Sequence, residues 1–169
     1  MPPKGVRILG RMFARYFLDL PVAFEEVEAS LLDEPATWVP GLLRAAEDRG
    51  ERLLADVGFS VDQHRIDKKV EVRLGTPYRI PSKTLLPMTW RATGPGRVFP
   101  QLDADVEVAA LGPRRTQLSI SARYRPPMGA AGRALDRALL HRVAEATIKD
   151  FLDRVGERIR GRQAPTLGR

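Results

Sequence analysis

Residues 101–125 read QLDADVEVAALGPRRTQLSISARYR, and apolar and polar side chains alternate through both halves of this stretch. Successive side chains of a β-strand point to opposite faces of a sheet, so strict alternation predicts strands with one buried and one solvated face. Gly112-Pro113 predicts a short turn between two antiparallel strands. The predicted inward-facing set is Leu102, Ala104, Val106, Val108, Leu118, Ile120, Ala122 and Tyr124.

The same period of two extends towards the N-terminus. Residues 54–61, 68–74 and 85–92 predict three further strands, and residues 12–20 predict another that ends at Pro21. In residues 85–92, Leu86, Met88 and Trp90 fall on one face. The chain therefore predicts an antiparallel sheet of about six strands.

Helical spacing appears in three other segments. Residues 22–32 carry apolar side chains at helical intervals with acids in the first turns, and residues 40–49 predict a second short helix that Gly50 ends. A long helix is expected up to about Arg160. Its apolar side chains recur every four residues, which turns the stripe by roughly 40° per step and suits a helix wrapped by a twisted sheet. That stripe comprises Leu135, Leu139, Val143, Thr147, Phe151, Val155 and Ile159, beside a second column of Leu140, Ala144, Ile148 and Leu152.

Three local stretches carry a family resemblance: LLPMTWRATGPGRVFPQLDADVEVAALG (85–112), RYRPPMGAAGRALDRALLHRVAEATIKDFLDRV (123–155), and Pro21 before the first helix. In the order of its elements, the chain resembles a bacterial branch of the START-like helix-grip superfamily (SRPBCC), which includes polyketide cyclase/dehydrase and lipid-transport proteins. The resemblance implies an α+β helix-grip fold, with a curved antiparallel sheet of about six strands around a long C-terminal helix and two short helices after the first strand. It also implies a cavity between sheet and helix for an apolar or amphipathic molecule. The superfamily has no universal catalytic motif, so no catalytic residue is carried over.

One domain accounts for the length of 169 residues. We expect an N-terminal extension over residues 1–11, a single domain over 12–160 and a basic, disordered tail over 161–169. The net charge of +7 is spread along the chain between acids, so we do not expect nucleic-acid binding. No apolar run reaches the length of a transmembrane helix, and we expect a cytoplasmic protein that is a monomer or a homodimer.

The composition excludes several kinds of catalytic site. There is no cysteine, which excludes disulfides and thiolate chemistry. His64 is expected in an exposed loop, and His141 falls off the apolar stripe and is expected to face solvent. Neither histidine belongs to a metal-binding motif, and no phosphate-binding glycine loop is present, so we expect no metal and no cofactor.

The candidate ligand-binding residues lie on the predicted inner faces of the sheet and of the long helix. Each has a plain structural alternative: Trp90 as simple core, and Thr147 as a helical hydroxyl bonded to a preceding carbonyl. The set is Met88, Trp90, Val106, Ile120, Tyr124, Leu139, Val143 and Thr147.

Three functions remain open from the sequence. The first is binding of a hydrophobic or amphipathic small molecule, lipid or polyketide-like, in the cavity. The second is a cyclase, aromatase or dehydratase that uses Tyr78, Arg91, Tyr124 and Thr147, although Arg91 alternates with Trp90 and should point outward. The third is an interaction module with a collapsed cavity.

Overall fold

The structure is a computed structural model, and it describes residues 12–33, 38–41, 43–47, 50–61, 63–93, 101–125 and 137–163. These residues form eight strands and two helices. The predicted extension over 1–11 and residues 164–169 of the predicted tail lie outside the described residues. In chain order the elements are β1 (Met12–Leu20), α1 (Phe24–Leu32), β2 (Leu43–Glu47), β3 (Gly50–Val61), β4 (His64–Leu74), β5 (Tyr78–Ile80), β6 (Lys83–Ala92), β7 (Gln101–Gly112), β8 (Arg115–Arg125) and α2 (Arg137–Gln163).

The strands form one antiparallel sheet in the order β1-β8-β7-β6-β4-β3-β2, with the short β5 paired to β6. The first strand therefore lies beside the last one. The register places Val106 of β7 opposite Ile120 of β8, and both are fully buried. The inward face predicted from residues 101–125 is confirmed, because Leu102, Ala104, Val106 and Val108 are all buried.

The long helix α2 covers that inner face. The apolar stripe of α2 is fully buried in its second half, as expected: the exposed fraction is 0% for Phe151, Leu152, Val155 and Ile159. Gly156 lets α2 approach β1 closely, since a Cβ atom there would lie 2.6 Å from Leu18 Cδ1. The helix continues through Gln163, so residues 161–163, predicted as the start of a tail, are helical.

Polar contacts hold α2 on both of its sides. On the β1 side, the Tyr16 hydroxyl donates to Asp153 Oδ1 at 3.1 Å. On the other side, the Arg65 guanidinium at the start of β4 donates to both carboxylate oxygens of Asp150, at 2.7 and 3.0 Å. Arg154 Nη2 donates to the backbone carbonyl of Asp56 in β3 at 2.8 Å. The sheet therefore holds α2 through an ion pair and hydrogen bonds as well as through apolar packing.

One predicted helix is wrong. Residues 43–47, LRAAE, form strand β2 rather than part of a helix over 40–49, and residues 38–41 form a turn. Leu43 pairs with Leu54 and Glu47 pairs with Gly50, so Gly50 begins strand β3 rather than ending a helix. Alanine-rich segments favour helix only weakly, and pairing with a neighbouring strand overrides that preference. The first predicted helix is confirmed as α1, with Glu25 and Glu26 in its first turn.

Candidate functional site

The candidate residues on the sheet lie together on its inner face. They are almost fully buried, with exposed fractions of 1% for Met88, Trp90 and Tyr124 and 0% for Val106 and Ile120. The Trp90 ring meets the Phe151 ring of α2 edge-on, with 5.4 Å between the ring centroids. Trp90 therefore packs directly against α2. The five side chains keep almost no accessible surface in the part of the chain that the structure describes.

The candidate residues on α2 are placed differently from one another. Thr147 is 2% exposed, and its hydroxyl donates to the Val143 carbonyl at 2.7 Å, which confirms the structural alternative stated for it. Val143 is half-buried. Leu139 is 49% exposed, so its predicted position on the buried stripe is wrong. The stripe turns around the helix as it advances, and at this early turn it has not yet reached the sheet.

A short chain of hydrogen bonds links the inner face to the surface of α2. The Tyr124 oxygen lies 2.6 Å from His141 Nδ1, and His141 Nε2 lies 3.1 Å from Glu145 Oε1. A carboxylate can only accept, so in the neutral imidazole of His141 the proton lies on Nε2, facing Glu145, and Nδ1 accepts from the Tyr124 hydroxyl. The two rings are stacked, with centroids 6.2 Å apart. The structure thus brings together Tyr124, His141 and Glu145, of which only Tyr124 was a candidate.

The expectation that His141 faces solvent is therefore wrong in part. Its side chain is 38% exposed, and its ring stacks on the Tyr124 ring. The helical wheel alone places His141 between the apolar columns. One sequence signal pointed to the contact: Tyr124 ends an inward-facing strand, where its polar tip needs a partner near the start of the long helix.

A groove of about 300 Å³ runs along the junction of β1 and α2 and opens to solvent; we call it the seam groove. Its floor includes two buried apolar residues, Ala14 and Ile148, which are 4% and 1% exposed. Lys149 lies 5.2 Å from the centre of the Tyr16 ring and donates to Asp153 Oδ2 at 2.5 Å. The hydrogen bond from Lys149 to Asp153 raises the pKa of the lysine, so it is a cation here. The groove is lined by Ala14, Arg15, Tyr16, Arg142, Glu145, Ala146, Ile148 and Lys149.

A buried polar cluster fastens α1 to the sheet, on the same face of β6 as Leu86 and Met88. Glu28 of α1 accepts two hydrogen bonds from Arg79, each at 2.9 Å, and one from the buried hydroxyl of Thr84. The hydrogen bonds from Arg79 have the largest effect and lower the pKa of Glu28. Burial raises this pKa, but the Arg79 bonds, the Thr84 bond and the charge of Arg79 together outweigh burial. These hydrogen bonds tie α1 to β5 and β6.

The other polar candidates do not reach the interior. Tyr78 is 64% exposed, so its predicted place in a catalytic cavity is wrong, and Arg91 is exposed as its alternation with Trp90 predicted. His64 is exposed, as expected, although it begins strand β4 rather than lying in a loop. Within the residues that the structure describes, no three His, Cys, Asp or Glu side chains are grouped to hold a metal ion. The helices in that part of the chain are also too short or too polar to cross a membrane.

No protein-family model matches the sequence, and neither does any curated protein. Solved structures do match. The aromatase/cyclase Zhui from Streptomyces sp. R1128 is 14% identical, with 95% of this chain and 100% of that one covered at a TM-score of 0.57. A START superfamily protein from Mycobacterium smegmatis is 14% identical, with 90% and 97% covered at a TM-score of 0.51. Norcoclaurine synthase from Thalictrum flavum is 11% identical, with 96% of each chain covered at a TM-score of 0.55. At such identities the likeness concerns architecture, and the chain has the START-like helix-grip fold.

Proposed function

We propose that this protein binds a hydrophobic or amphipathic small molecule, lipid or polyketide-like, between the inner face of the sheet and α2. The observation that carries the proposal is a row of small side chains across that face. Ala14 of β1 pairs with Ala122 of β8, Ala122 pairs with Ala104 of β7, and Ala104 pairs with Met88 of β6. The row begins in the seam groove, where Ala14 lies, and runs beneath α2 to the adaptable thioether of Met88.

A ligand can reach this row of small side chains only if α2 moves away from β1. The side chains of the inner face are buried, whereas the seam groove is already open above Ala14. On the opposite side of α2, the two hydrogen bonds from Arg65 to Asp150 hold the helix to β4. We propose that the ligand enters along the β1 side, where the seam groove opens and the hydrogen bond from Tyr16 to Asp153 has to break. Trp90 and Met88 form the apolar wall at the far end of the row of small side chains.

A fluorescence titration with N-phenyl-1-naphthylamine, a neutral apolar dye, tests this proposal. We expect saturable brightening at one dye per chain. Replacing Ala14 with leucine narrows the start of the alanine row and should weaken dye binding about tenfold or more, a change of ~1.4 kcal/mol. The matched control is Phe13→Leu, because Phe13 is the neighbouring residue of β1, is 57% exposed and points away from α2.

Each outcome of the dye titration refutes a different part of the proposal. Equal loss of dye binding in the Ala14 and Phe13 variants, with both folded by circular dichroism, refutes access along the seam. Absence of saturable binding in the unaltered protein refutes the cavity proposal and favours the interaction module with a collapsed interior. Should the Ala14→Leu variant fail to fold, energy transfer from Trp90 to the dye in a Trp38→Phe background tests whether the dye lies near the inner face, where Trp90 is buried. Absence of transfer on saturable binding refutes a site there.

A second function, an enzyme of cyclase, aromatase or dehydratase type in the same cavity, is favoured by the Tyr124–His141–Glu145 chain. A phenol that donates to an imidazole can give its proton to the imidazole and accept a proton from a bound substrate in its place. The test is turnover of a β-hydroxy ketone to its enone by the unaltered protein and by Tyr124→Phe. Turnover that persists at the same rate in the Phe variant contradicts this role. For either function we propose a cytoplasmic monomer or homodimer that requires no cofactor.

A further inference from the structure

Strand β1 is an open edge of the sheet. It stands first in the strand order, and among the described residues it pairs only with β8. Natural edge strands are protected from further pairing by lysine, by proline, by a bulge or by their shortness. β1 has none of these protections: it is nine residues long, its register with β8 is continuous, and its sequence, MFARYFLDL, contains neither lysine nor proline. Its free edge can therefore pair with a further strand.

The outer face of β1, which points away from α2, carries two exposed aromatic rings and two opposite charges. Alternation places Phe13, Arg15, Phe17 and Asp19 on this face, and all four are exposed. Phe13 and Phe17 keep 57% and 59% of their surface. Arg15 makes no ion pair with any described residue. Asp19 accepts from Arg115 at 2.6 Å, and a carboxylate accepts through both of its oxygens, so Asp19 can bind a second arginine.

The sequence of β1 is complementary to its own reverse. Two copies of the strand pair antiparallel about a two-fold axis perpendicular to the sheet, which keeps outer-face residues opposite outer-face residues. With Phe17 on the axis, Phe17 lies opposite its own copy, and Arg15 lies opposite Asp19 of the second copy on both sides of the axis. On the inner face, Tyr16 then lies opposite Leu18.

Other positions of the axis lose this match. An axis one residue earlier places Arg15 opposite Phe17, and an axis at Arg15 places that arginine opposite its own copy. Like charges directly opposite one another destabilise a strand pair, whereas opposite charges stabilise it. Charge complementarity therefore selects the axis at Phe17.

We infer that β1 pairs with β1 of a second copy of this chain, antiparallel and with Phe17 on the two-fold axis, so that two sheets join into one. The inference does not rest on the proposed ligand. The paired segment covers only residues 14–20, and each opposed pair contributes about 0.2–1 kcal/mol. The dimer is therefore weak, with an expected dissociation constant of about 100 µM. At the micromolar concentrations of an unfolding experiment the chain is a monomer.

Sedimentation velocity on the full chain, from about 10 µM to about 1 mM, measures this association. We expect a reversible shift from one chain to two as the concentration rises. Arg15→Glu places an acid opposite Asp19, and Asp19→Lys places a lysine opposite Arg15, so each variant alone should associate at least about tenfold more weakly. An equimolar mixture of the two variants restores both opposite-charge pairs and should dimerise again. Arg91→Glu makes the same charge change at an exposed position of β6, inside the sheet, and should leave the association unchanged.

Disulfide cross-linking reports the register, because the chain has no cysteine of its own. In Phe17→Cys the two introduced residues face each other across the axis, where opposed Cα atoms are about 4.5–5.5 Å apart, within the range of a disulfide. Phe13→Cys is the matched control, since Phe13 is almost equally exposed on the same face of β1. In this register it lies about 27 Å along the paired strands from its own copy. Mild oxidation should therefore join Phe17→Cys into dimers and leave Phe13→Cys as single chains.

Each result decides the inference. A chain that remains single at about 1 mM refutes it, as does a dimer that Arg15→Glu and Asp19→Lys leave unchanged or that their mixture does not restore. Equal cross-linking of the two cysteine variants refutes the axis at Phe17. Thermal melts confirm that the variants are folded. Dye binding is measured separately, so the proposed function can stand when this inference fails.

Discussion

Phe151 is the contact through which α2 closes over Trp90, and replacing it with alanine tests the packing of the interior. The side chain is 0% exposed and its ring meets Trp90 edge-on at 5.4 Å. Full burial of a phenylalanine stabilises the folded state by about 1.5–3 kcal/mol. The aromatic pair adds about 0.5–1.5 kcal/mol. With the cavity left behind, Phe151→Ala should lower the free energy of unfolding by about 3–5 kcal/mol.

Guanidinium unfolding followed by circular dichroism measures this loss. The matched control is Phe17→Ala on β1, where the ring is 59% exposed and truncation should cost no more than about 0.5 kcal/mol. Phe151→Ala also opens space beside Trp90, so Trp90 emission should shift in a Trp38→Phe background. The apolar dye should bind more tightly to this variant, because an apolar cavity accepts an apolar ligand. A loss below about 1.5 kcal/mol, or an equal loss in Phe17→Ala, refutes the packing described here.

Three further predictions concern polar contacts. Asp150→Asn removes the carboxylate that Arg65 and Arg154 share. The free energy of unfolding should fall by about 1–2 kcal/mol, a modest loss because the side chains are partly exposed. A double-mutant cycle with Arg65→Gln that shows no coupling energy would contradict this prediction. Stability should also fall as the pH drops below about 5, because the pKa of Glu28 is lowered by its bonds from Arg79. The pKa of Asp150 is lowered as well, since its bonds from Arg65 and the charge of Arg154 outweigh its burial. In both cases the unfolded state binds more protons than the native state in this range, so the contribution is present above the unfolded pKa and is lost on acidification. Unfolding measured from about pH 5.5 to 3 should show a shallower slope in Glu28→Gln, and an unchanged slope counts against the cluster. Finally, Tyr124→Phe removes the donor to His141 Nδ1 and should cost about 1 kcal/mol. Nitrogen NMR should find the proton of neutral His141 on Nε2 in the unaltered protein, and a proton on Nδ1 would refute the assigned chain.

Strand alternation made most of the sheet predictable. Residues such as Val106 and Ile120 could be placed on the inner face because the period of two holds without a break, and a one-residue shift would bury charges. Residues 43–47 were not predictable in this way. Their only signal was a short alanine-rich pattern, and their pairing with β3 depends on contacts that helix propensity does not report.

The candidate site was predictable only where it lies on strands. The burial of Leu139 was predicted from helical spacing, but the stripe meets the sheet only one turn later. The contact between Tyr124 and His141 could be predicted only if the position of the start of α2 relative to the end of β8 were known. The seam groove joins Ala14 of β1 to Arg142 of α2, and no sequence pattern links two residues so far apart along the chain.

Methyl NMR of isoleucine tests the central claim, that a ligand enters between the sheet and α2. Ile120 and Ile148 face the interior at 0% and 1% exposure, whereas Ile66 and Ile80 are 45% and 42% exposed on the outside. During titration with N-phenyl-1-naphthylamine, we expect saturable shifts of the Ile120 and Ile148 methyl signals with one common dissociation constant, and no shift of the Ile66 and Ile80 signals. Shifts confined to Ile66 and Ile80, with the interior signals unmoved, would place the dye on the surface and refute binding between the sheet and α2.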